Sequence, residues 1–202
     1  MKSVVVLDYG SGNLRSAERA LARAGASVRV TPDLAVAAEA DGLVVPGVGA
    51  FAACMAGVEA LDAGPVIAER VAAGAPVLGI CVGMQILFEY GEEHGVVTKG
   101  LGLLPGAVTR LSAERVPHMG WNTVAMPTNS AVFAGIPAGT RFYFVHSYAA
   151  TPTGGQGLVA LTEHGAPFVA AVERGTLSAT QFHPEKSGDA GAALLRNWVS
   201  GL

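Results

Sequence analysis

"PVLGICVGMQILFEYGEE", residues 76 to 93, decides the fold. It sets Cys81 between an apolar run that reads as a buried strand and a periodic run that reads as a helix. Gly79 and Gly83 flank the thiol. They suit a sharp strand-to-helix turn that exposes a nucleophile and lets another backbone come close. A helix start at that point also favours the thiolate, which is the nucleophilic form. A lone cysteine is more often a small buried hydrophobe. Cys54, inside "FAACMAG" with apolar neighbours at helical spacing, takes that reading; for Cys81 the rest of the chain decides.

Upstream, "SVVVLD" (3 to 8) is a strand and "NLRSAERALARAG" (13 to 25) a helix, with Leu14, Ala17, Leu21 and Ala24 on one face and a stop at Gly25. "SVRV" (27 to 30), "DLAVAAEA" (33 to 40) and "GLVVPG" (42 to 47) repeat the alternation. A helical stretch ending at "AERVAAG" then leads to the strand "APVLGI" (75 to 80). Repeated βα units predict a mostly parallel central sheet flanked by helices, with right-handed crossovers. After about residue 100 the strand-like runs "GAVTRLS", "GWNTVAM", "TRFYFVHSYAA", "GLVALTEHG", "PFVAAVERG" and "TLSATQFH" predict a β-rich second half. A last helix carries Leu194, Leu195, Trp198 and Val199 on its apolar face. The expectation is an α/β fold in one domain over residues 1 to 202, since no linker or repeat interrupts the chain.

Half of the 202 residues are hydrophobic, enough for one substantial core, and the net charge is only −3 with Lys and Arg scattered. No electrostatic footprint for nucleic acid or membrane lipid results, so neither partner is expected. No segment approaches the ~20 apolar residues of a membrane span, and the start lacks a secretory apolar region, so a cytoplasmic location is expected. The only two cysteines, Cys54 and Cys81, form no CxxC pair; neither a disulfide framework nor a metal site is indicated. "DYGSGN" (8 to 13) lacks the third glycine of a dinucleotide loop and the chain has no Walker lysine, so no nucleotide cofactor is expected.

"ATQFHPEKS" (179 to 187) changes the odds for Cys81. His183 and Glu185 are two apart, so in an extended segment both face one way, with Cα atoms about 7 Å apart. Pro184 between them favours that geometry. The carboxylate can hold the imidazole in one tautomer while the other ring nitrogen meets a thiol, the logic of orienter, base and nucleophile. "VVPGVGAF" (44 to 51) offers a Gly-Val-Gly loop after a strand. The backbone N–H groups at Val48 and Gly49, with that of Val82, could bind an oxyanion formed by attack of Cys81. Gln85, one helical turn after Cys81, could hydrogen-bond a substrate. Val48 between two permissive glycines also suggests a peptide that points its N–H away until a partner binds.

Together these segments resemble the class I (triad) glutamine amidotransferases, through the cysteine elbow "GICVGMQ", the segment "PGVGAF" and the late "HPE". The resemblance covers essentially the whole chain. More narrowly, "DYGSGN", "PGVGAF", "GICVGMQILFE", "PHMGWN", "YFVHSY" and "QFHPEKSG", in this order, are similar to the glutaminase subunits of imidazole glycerol phosphate synthases. The resemblance implies a flavodoxin-like amidotransferase fold and hydrolysis of glutamine to glutamate and ammonia, without a cofactor. It also implies transfer of the ammonia to a cyclase that makes imidazole glycerol phosphate and aminoimidazole carboxamide ribotide in histidine biosynthesis. That cyclase is a (β/α)8 barrel of about 250 residues, longer than this chain, so the implied partner is a separate subunit of a heterodimer.

Carried over by residue, Cys81 attacks the side-chain amide and forms a γ-glutamyl thioester, His183 shuttles protons and Glu185 orients His183. Val48, Gly49 and Val82 supply oxyanion N–H groups. Gln85, Glu93, His146, Ser147 and Tyr148 hold glutamine, although "GEEHG" offers Glu92 as well as Glu93. Asn13, Trp121, Asn122 and Lys186 match positions near the cyclase, although Trp121 reads equally well as a core aromatic. Two rival readings stay open. One is the glutaminase of another ammonia-channelling synthase, of the pyridoxal phosphate type, against which "PGVGAF" and "HMGWN" argue. The other is a regulatory subunit without catalysis, against which Cys81, His183 and Glu185 argue.

Overall fold

Strands and helices alternate through the first eighty residues, as the apolar runs predict. The structure, a computed structural model, describes residues Met1–Leu202. In chain order come β1 (Ser3–Leu7), α1 (Leu14–Arg23), β2 (Ser27–Thr31), α2 (Leu34–Glu39), β3 (Gly42–Gly47), α3 (Phe51–Leu61), α4 (Ala63–Ala72), β4 (Val77–Cys81) and α5 (Val82–Gln85). There follow β5 (Phe88–Glu93), β6 (Val96–Lys99), β7 (Leu104–Arg110), β8 (His118–Thr123), β9 (Arg141–His146), β10 (Tyr148–Ala150), β11 (Leu158–His164), β12 (Ala166–Arg174), β13 (Leu177–Thr180) and α6 (Gly188–Ser200). No single helix is long and apolar enough to cross a membrane.

The central sheet has seven strands in the order β11-β12-β13-β4-β3-β1-β2. From β2 to β13 neighbouring strands are parallel, while β12 and β11 are antiparallel additions. Every residue of β3 and β4 is buried, because helices cover both faces of a parallel sheet and leave no polar side. The chain runs from β1 to β2 on one flank and then to β3 and β4 on the other. The carboxyl ends of β1 and β3 therefore sit at a switch point, where open α/β sheets bind ligands. β13 lies beside β4 with Thr180 opposite Ile80. That register carries residues 181 to 183 past the sheet at the same end as Cys81, and it joins segments one hundred positions apart.

The second half is β-rich, as expected, but it divides differently. β10, β7, β5 and β6 form a separate four-stranded sheet, and β8 with β9 a two-stranded one. The run 140 to 150 splits at Ser147 between these two sheets. Residues Phe88–Glu93, read from sequence as part of a helix, are β5, which pairs with β6. The predicted helix after Cys81 shrinks to the single turn α5. Ile86, Leu87 and Phe88 are all fully buried; with no polar face in that stretch, periodicity could not tell helix from strand. Pairing of Phe88 with Leu104 on β7 then settles it. The helical stretch over 51 to 72 likewise breaks at Asp62, whose φ of 57° turns α3 into α4. α6 buries Leu194, Leu195, Trp198 and Val199, as its spacing predicts.

At the tip of β4 the chain makes a strained elbow. Cys81 has φ 56° and ψ −115°, a conformation that costs a non-glycine residue about 1–3 kcal/mol. Close packing holds it there: a Cβ on Gly83 would lie 1.9 Å from Val45 O, and one on Gly47 would lie 2.4 Å from Gly83 N. The end of β3 and the elbow thus meet backbone to backbone. A methyl at Gly83 would force them apart, so Gly83→Ala is expected to cost about 3 kcal/mol. Urea unfolding would show this as a lower midpoint with an unchanged slope.

Candidate active site

One cavity of about 220 Å³ lies beyond the carboxyl ends of β3, β4 and β13, walled by Cys81, His183, Gln85, Glu93 and the loop at Val48 and Gly49. β4 delivers Cys81 through the elbow, and the sulfur-bearing residue is 4% exposed. Because α5 is only one turn, a long helix dipole does not act on it. What α5 offers is its first backbone N–H groups, beginning at Val82, which have no acceptor within the helix.

His183 follows β13 and is held by its backbone, with its N–H donated to Tyr143 O at 2.9 Å. Its Nδ1 bonds Glu185 Oε1 at 2.7 Å, and both side chains are almost fully buried. The sequence argument placed this pair on an extended strand, and the structure corrects that. Residues Pro184–Lys186 form a 3₁₀ turn. Ser187 closes it, donating its hydroxyl to His183 O at 2.7 Å and accepting Tyr143 N–H at 3.0 Å. Glu185 therefore reaches His183 around a turn rather than along a pleat. Its second oxygen is buried with no hydrogen-bond partner, which leaves His183 as the group its charge addresses.

Burial alone would depress His183, but hydrogen bonds and charges from Cys81 and Glu185 outweigh it and push the imidazole up to about 9 from 6.5. A protonated His183 can give its proton to a leaving group at neutral pH. Cys54 differs. It is fully buried, and burial pushes its thiol up despite hydrogen bonds from Ser11 and Tyr9, which fits an unreactive role.

The loop at residues 47 to 49 is tied down from behind. Val48 N–H donates to Ser11 Oγ at 3.1 Å, and the same hydroxyl donates to Val48 O at 3.0 Å. Cys54 Sγ contacts Val48 O at 3.4 Å, and Tyr9 OH donates to Pro46 O. In this conformation the Val48 N–H, expected as an oxyanion donor, is turned to Ser11. The sequence alone does not single out Tyr9 and Ser11; the position of "DYGSGN" at the end of β1, on the sheet's switch point, is the available signal.

Among the expected glutamine contacts, Gln85, Glu93, Ser147 and Tyr148 line the cavity. Glu93 also accepts Phe51 N–H at 3.1 Å, whereas Glu92 points to solvent. Gln85 is 2% exposed, and its Nε2 is spent on Tyr148 O and Gln181 Oε1, both at 2.9 Å. His146 lines the cavity as well. Both ring nitrogens are engaged within the chain, with Tyr148 O at 2.9 Å and with His118 Nδ1 at 3.0 Å. Burial pushes His146 down to about 3 and His118 down to about 4, so both are neutral supports.

Of the expected partner contacts, Lys186 is exposed at the cavity mouth and Asn13 starts α1 half-buried without a side-chain capping bond. Trp121 is 53% exposed, edge-on to Tyr143, and is not a core aromatic. Asn122 is half-buried, its Nδ2 donating to Glu163 O at 2.9 Å and to His118 Nε2 at 3.3 Å. Gln181, fully buried with Nε2 3.8 Å from Cys81 Sγ, was missed. Period-two alternation was the signal, since it sets Gln181 on the face of His183 with Phe182 turned to the core.

The family model described as "Glutamine amidotransferase class-I" matches residues 5–201. The chain is 65% identical to the "Imidazole glycerol phosphate synthase subunit HisH" of Mycolicibacterium paratuberculosis, over 100% of this chain and 98% of that protein. It is also 65% identical to the protein of the same name in Nocardia farcinica, over 100% and 99%. A solved structure titled "Crystal structure of glutamine amidotransferase" superposes with a TM-score of 0.78 at 20% identity, over 98% of this chain and 99% of that one. PurLQS from Thermotoga maritima does so with 0.72 at 21%, over 100% and 99%; these two likenesses speak to the fold alone.

The raised His183 has a measurable consequence. Its folded value lies above the ordinary 6.5, so the stability it contributes is fully present below about that pH and is lost as pH rises through about 9. Glu185→Gln removes the paired charge and is expected to lower the His183 midpoint in an NMR titration. The gap in Tm between wild type and variant should be widest at or below pH 6.5 and close above pH 9. A gap that widened with rising pH would contradict the assignment.

Proposed function

The chain belongs to the class I glutamine amidotransferases, with the HisH subunits of imidazole glycerol phosphate synthase as its relatives, and on that premise we propose how and for whom it works. It hydrolyses glutamine to glutamate and ammonia. The ammonia passes to a separate (β/α)8-barrel cyclase subunit, which makes imidazole glycerol phosphate and aminoimidazole carboxamide ribotide in histidine biosynthesis. The observation that carries this reading is the meeting of Cys81 on its elbow with the buried His183–Glu185 pair in one cavity.

In the proposed reaction the Cys81 sulfur attacks the side-chain carbonyl carbon of glutamine, and the carbonyl oxygen becomes an oxyanion facing the N–H of Val82. His183 protonates the departing nitrogen, the carbon–nitrogen bond breaks, and ammonia leaves a γ-glutamyl thioester on Cys81. Water then attacks the thioester with His183 taking its proton; the carbon–sulfur bond breaks and glutamate departs. Glu185 holds Nδ1 of His183 throughout. Glu93 and the backbone around Ser147 and Tyr148 receive the α-groups of the substrate, and Lys186, Trp121 and Asn13 lie on the side offered to the cyclase.

The bond between Val48 N–H and Ser11 Oγ supports a gated site. A second oxyanion donor becomes available only when that peptide turns, and binding of the liganded cyclase supplies the differential free energy. Glutamine hydrolysis measured with the chain alone should therefore be much slower than with the cyclase and its ligand; equal rates would contradict gating. Cys81→Ala should lower glutamine-dependent synthesis at least ~1,000-fold while the cyclase keeps its ammonia-dependent activity. Retention of glutamine use by Cys81→Ala would overturn the nucleophile assignment.

A further inference from the structure

A backbone carbonyl can only accept hydrogen bonds, and the carbonyl of Tyr148 fixes the direction of every bond between itself and Cys81. Two donors converge on it, His146 Nδ1 and Gln85 Nε2, each at 2.9 Å. The Gln85 atom facing it is therefore the amide nitrogen. The other hydrogen of that nitrogen goes to Gln181 at 2.9 Å, so the Gln181 atom facing Gln85 is the amide oxygen. The nitrogen of Gln181 is left pointing at Cys81 Sγ, 3.8 Å away. With Gln181 fully buried, solvent offers it no competing partner.

The same reasoning runs outward from Tyr148. His146 donates from Nδ1, so as a neutral imidazole it accepts at Nε2, and His118 Nδ1 must donate there at 3.0 Å. His118 Nε2 then accepts from Asn122 Nδ2 at 3.3 Å. Each group has one consistent role, and adding a proton to either histidine would set two donors face to face. The chain of bonds from Asn122 to Cys81 is thus single-valued, and it holds the Gln181 amide in one of its two flip states.

We propose that Gln181 is a catalytic residue, donating its amide N–H to the Cys81 sulfur to stabilise the attacking thiolate, in an orientation imposed by the Tyr148 carbonyl through Gln85. The proposal rests on the reading of Cys81 as nucleophile. A hydrogen bond to the charged form of a group favours that form, and the bond strengthens as the sulfur acquires charge. Gln85 gains a second role, because its nitrogen sets the polarity of Gln181.

The test is the pH profile of Cys81 alkylation by iodoacetamide, followed on the Cys81 peptide by mass spectrometry, for wild type, Gln181→Met and Gln181→Glu. The titratable groups around the sulfur, namely His183, Lys186, Glu93, His146, Cys54 and Tyr9, are the same in all three chains. Removing the donor in Gln181→Met should move the alkylation midpoint up by about one pH unit. Gln181→Glu, equal in size, replaces the donor by a carboxylate and should move it further up. A residue that merely filled space would leave Gln181→Met at the wild-type midpoint, since only the carboxylate of Gln181→Glu would then raise it, by charge alone. Near-UV circular dichroism checks that each variant is folded, and if the Met variant is not, Gln181→Leu, which likewise has no donor and no charge, carries the test. An unmoved midpoint in a folded donor-free variant would overturn the proposal. If instead wild-type Cys81 were alkylated no faster than Cys54 and glutamine gave it no protection, the nucleophile reading itself would fall.

Discussion

The active end of this protein depends on a backbone contact between the end of β3, from Val45 to Gly47, and Gly83 just past Cys81, so close that neither Gly47 nor Gly83 has room for a Cβ. That contact holds Cys81 at positive φ, a conformation that is strained for a residue with a side chain. It also places the 47 to 49 loop directly against the elbow. One steric constraint therefore sets both the reach of the nucleophile and the position of the segment facing it, and the tightly buried β3 and β4 supply the rigidity that keeps the strain in place.

Around this constraint the site separates two kinds of histidine. His183 has a carboxylate and a thiol beside it and is driven towards the protonated state, whereas His118 and His146 lie among Phe144 and Phe168, hydrogen-bonded to each other, a carbonyl and an amide, with His164 stacked on His118 and no carboxylate partner. Burial disfavours charge in both places; the local partners decide which imidazole overcomes it. The cysteines divide in the same way. Cys54 is buried behind the loop, where its thiol touches Val48 O and Ser11, while Cys81 opens onto the cavity.

Much of this was legible in the sequence. The parallel half of the sheet followed from apolar runs and helical spacing, and Cys81, His183 and Glu185 from their residue types at a strand end and at a two-residue interval. The parts that were not legible share a physical cause. The stretch from Ile86 to Phe88 is buried on every side, so its periodicity carried no information and β5 was read as helix. The turn linking His183 to Glu185 is closed by Ser187, whose hydroxyl is held by the backbone of β9, 44 positions away. Nothing local reveals that His118, 28 positions away, occupies the free nitrogen of His146. Ser11 and Gln181 act through long-range contacts of the same kind, whose partners only the fold brings together.

The central claim is that the elbow makes Cys81, and not Cys54, the covalent nucleophile. Rapid acid quenching of the chain turning over glutamine in the presence of the liganded cyclase, followed by mass spectrometry of its peptides, tests it most directly. The account predicts a γ-glutamyl adduct on the peptide containing Cys81 and none on that containing Cys54. An adduct on Cys54, or glutamine turnover with both cysteines unmodified and undiminished activity in Cys81→Ala, would contradict it.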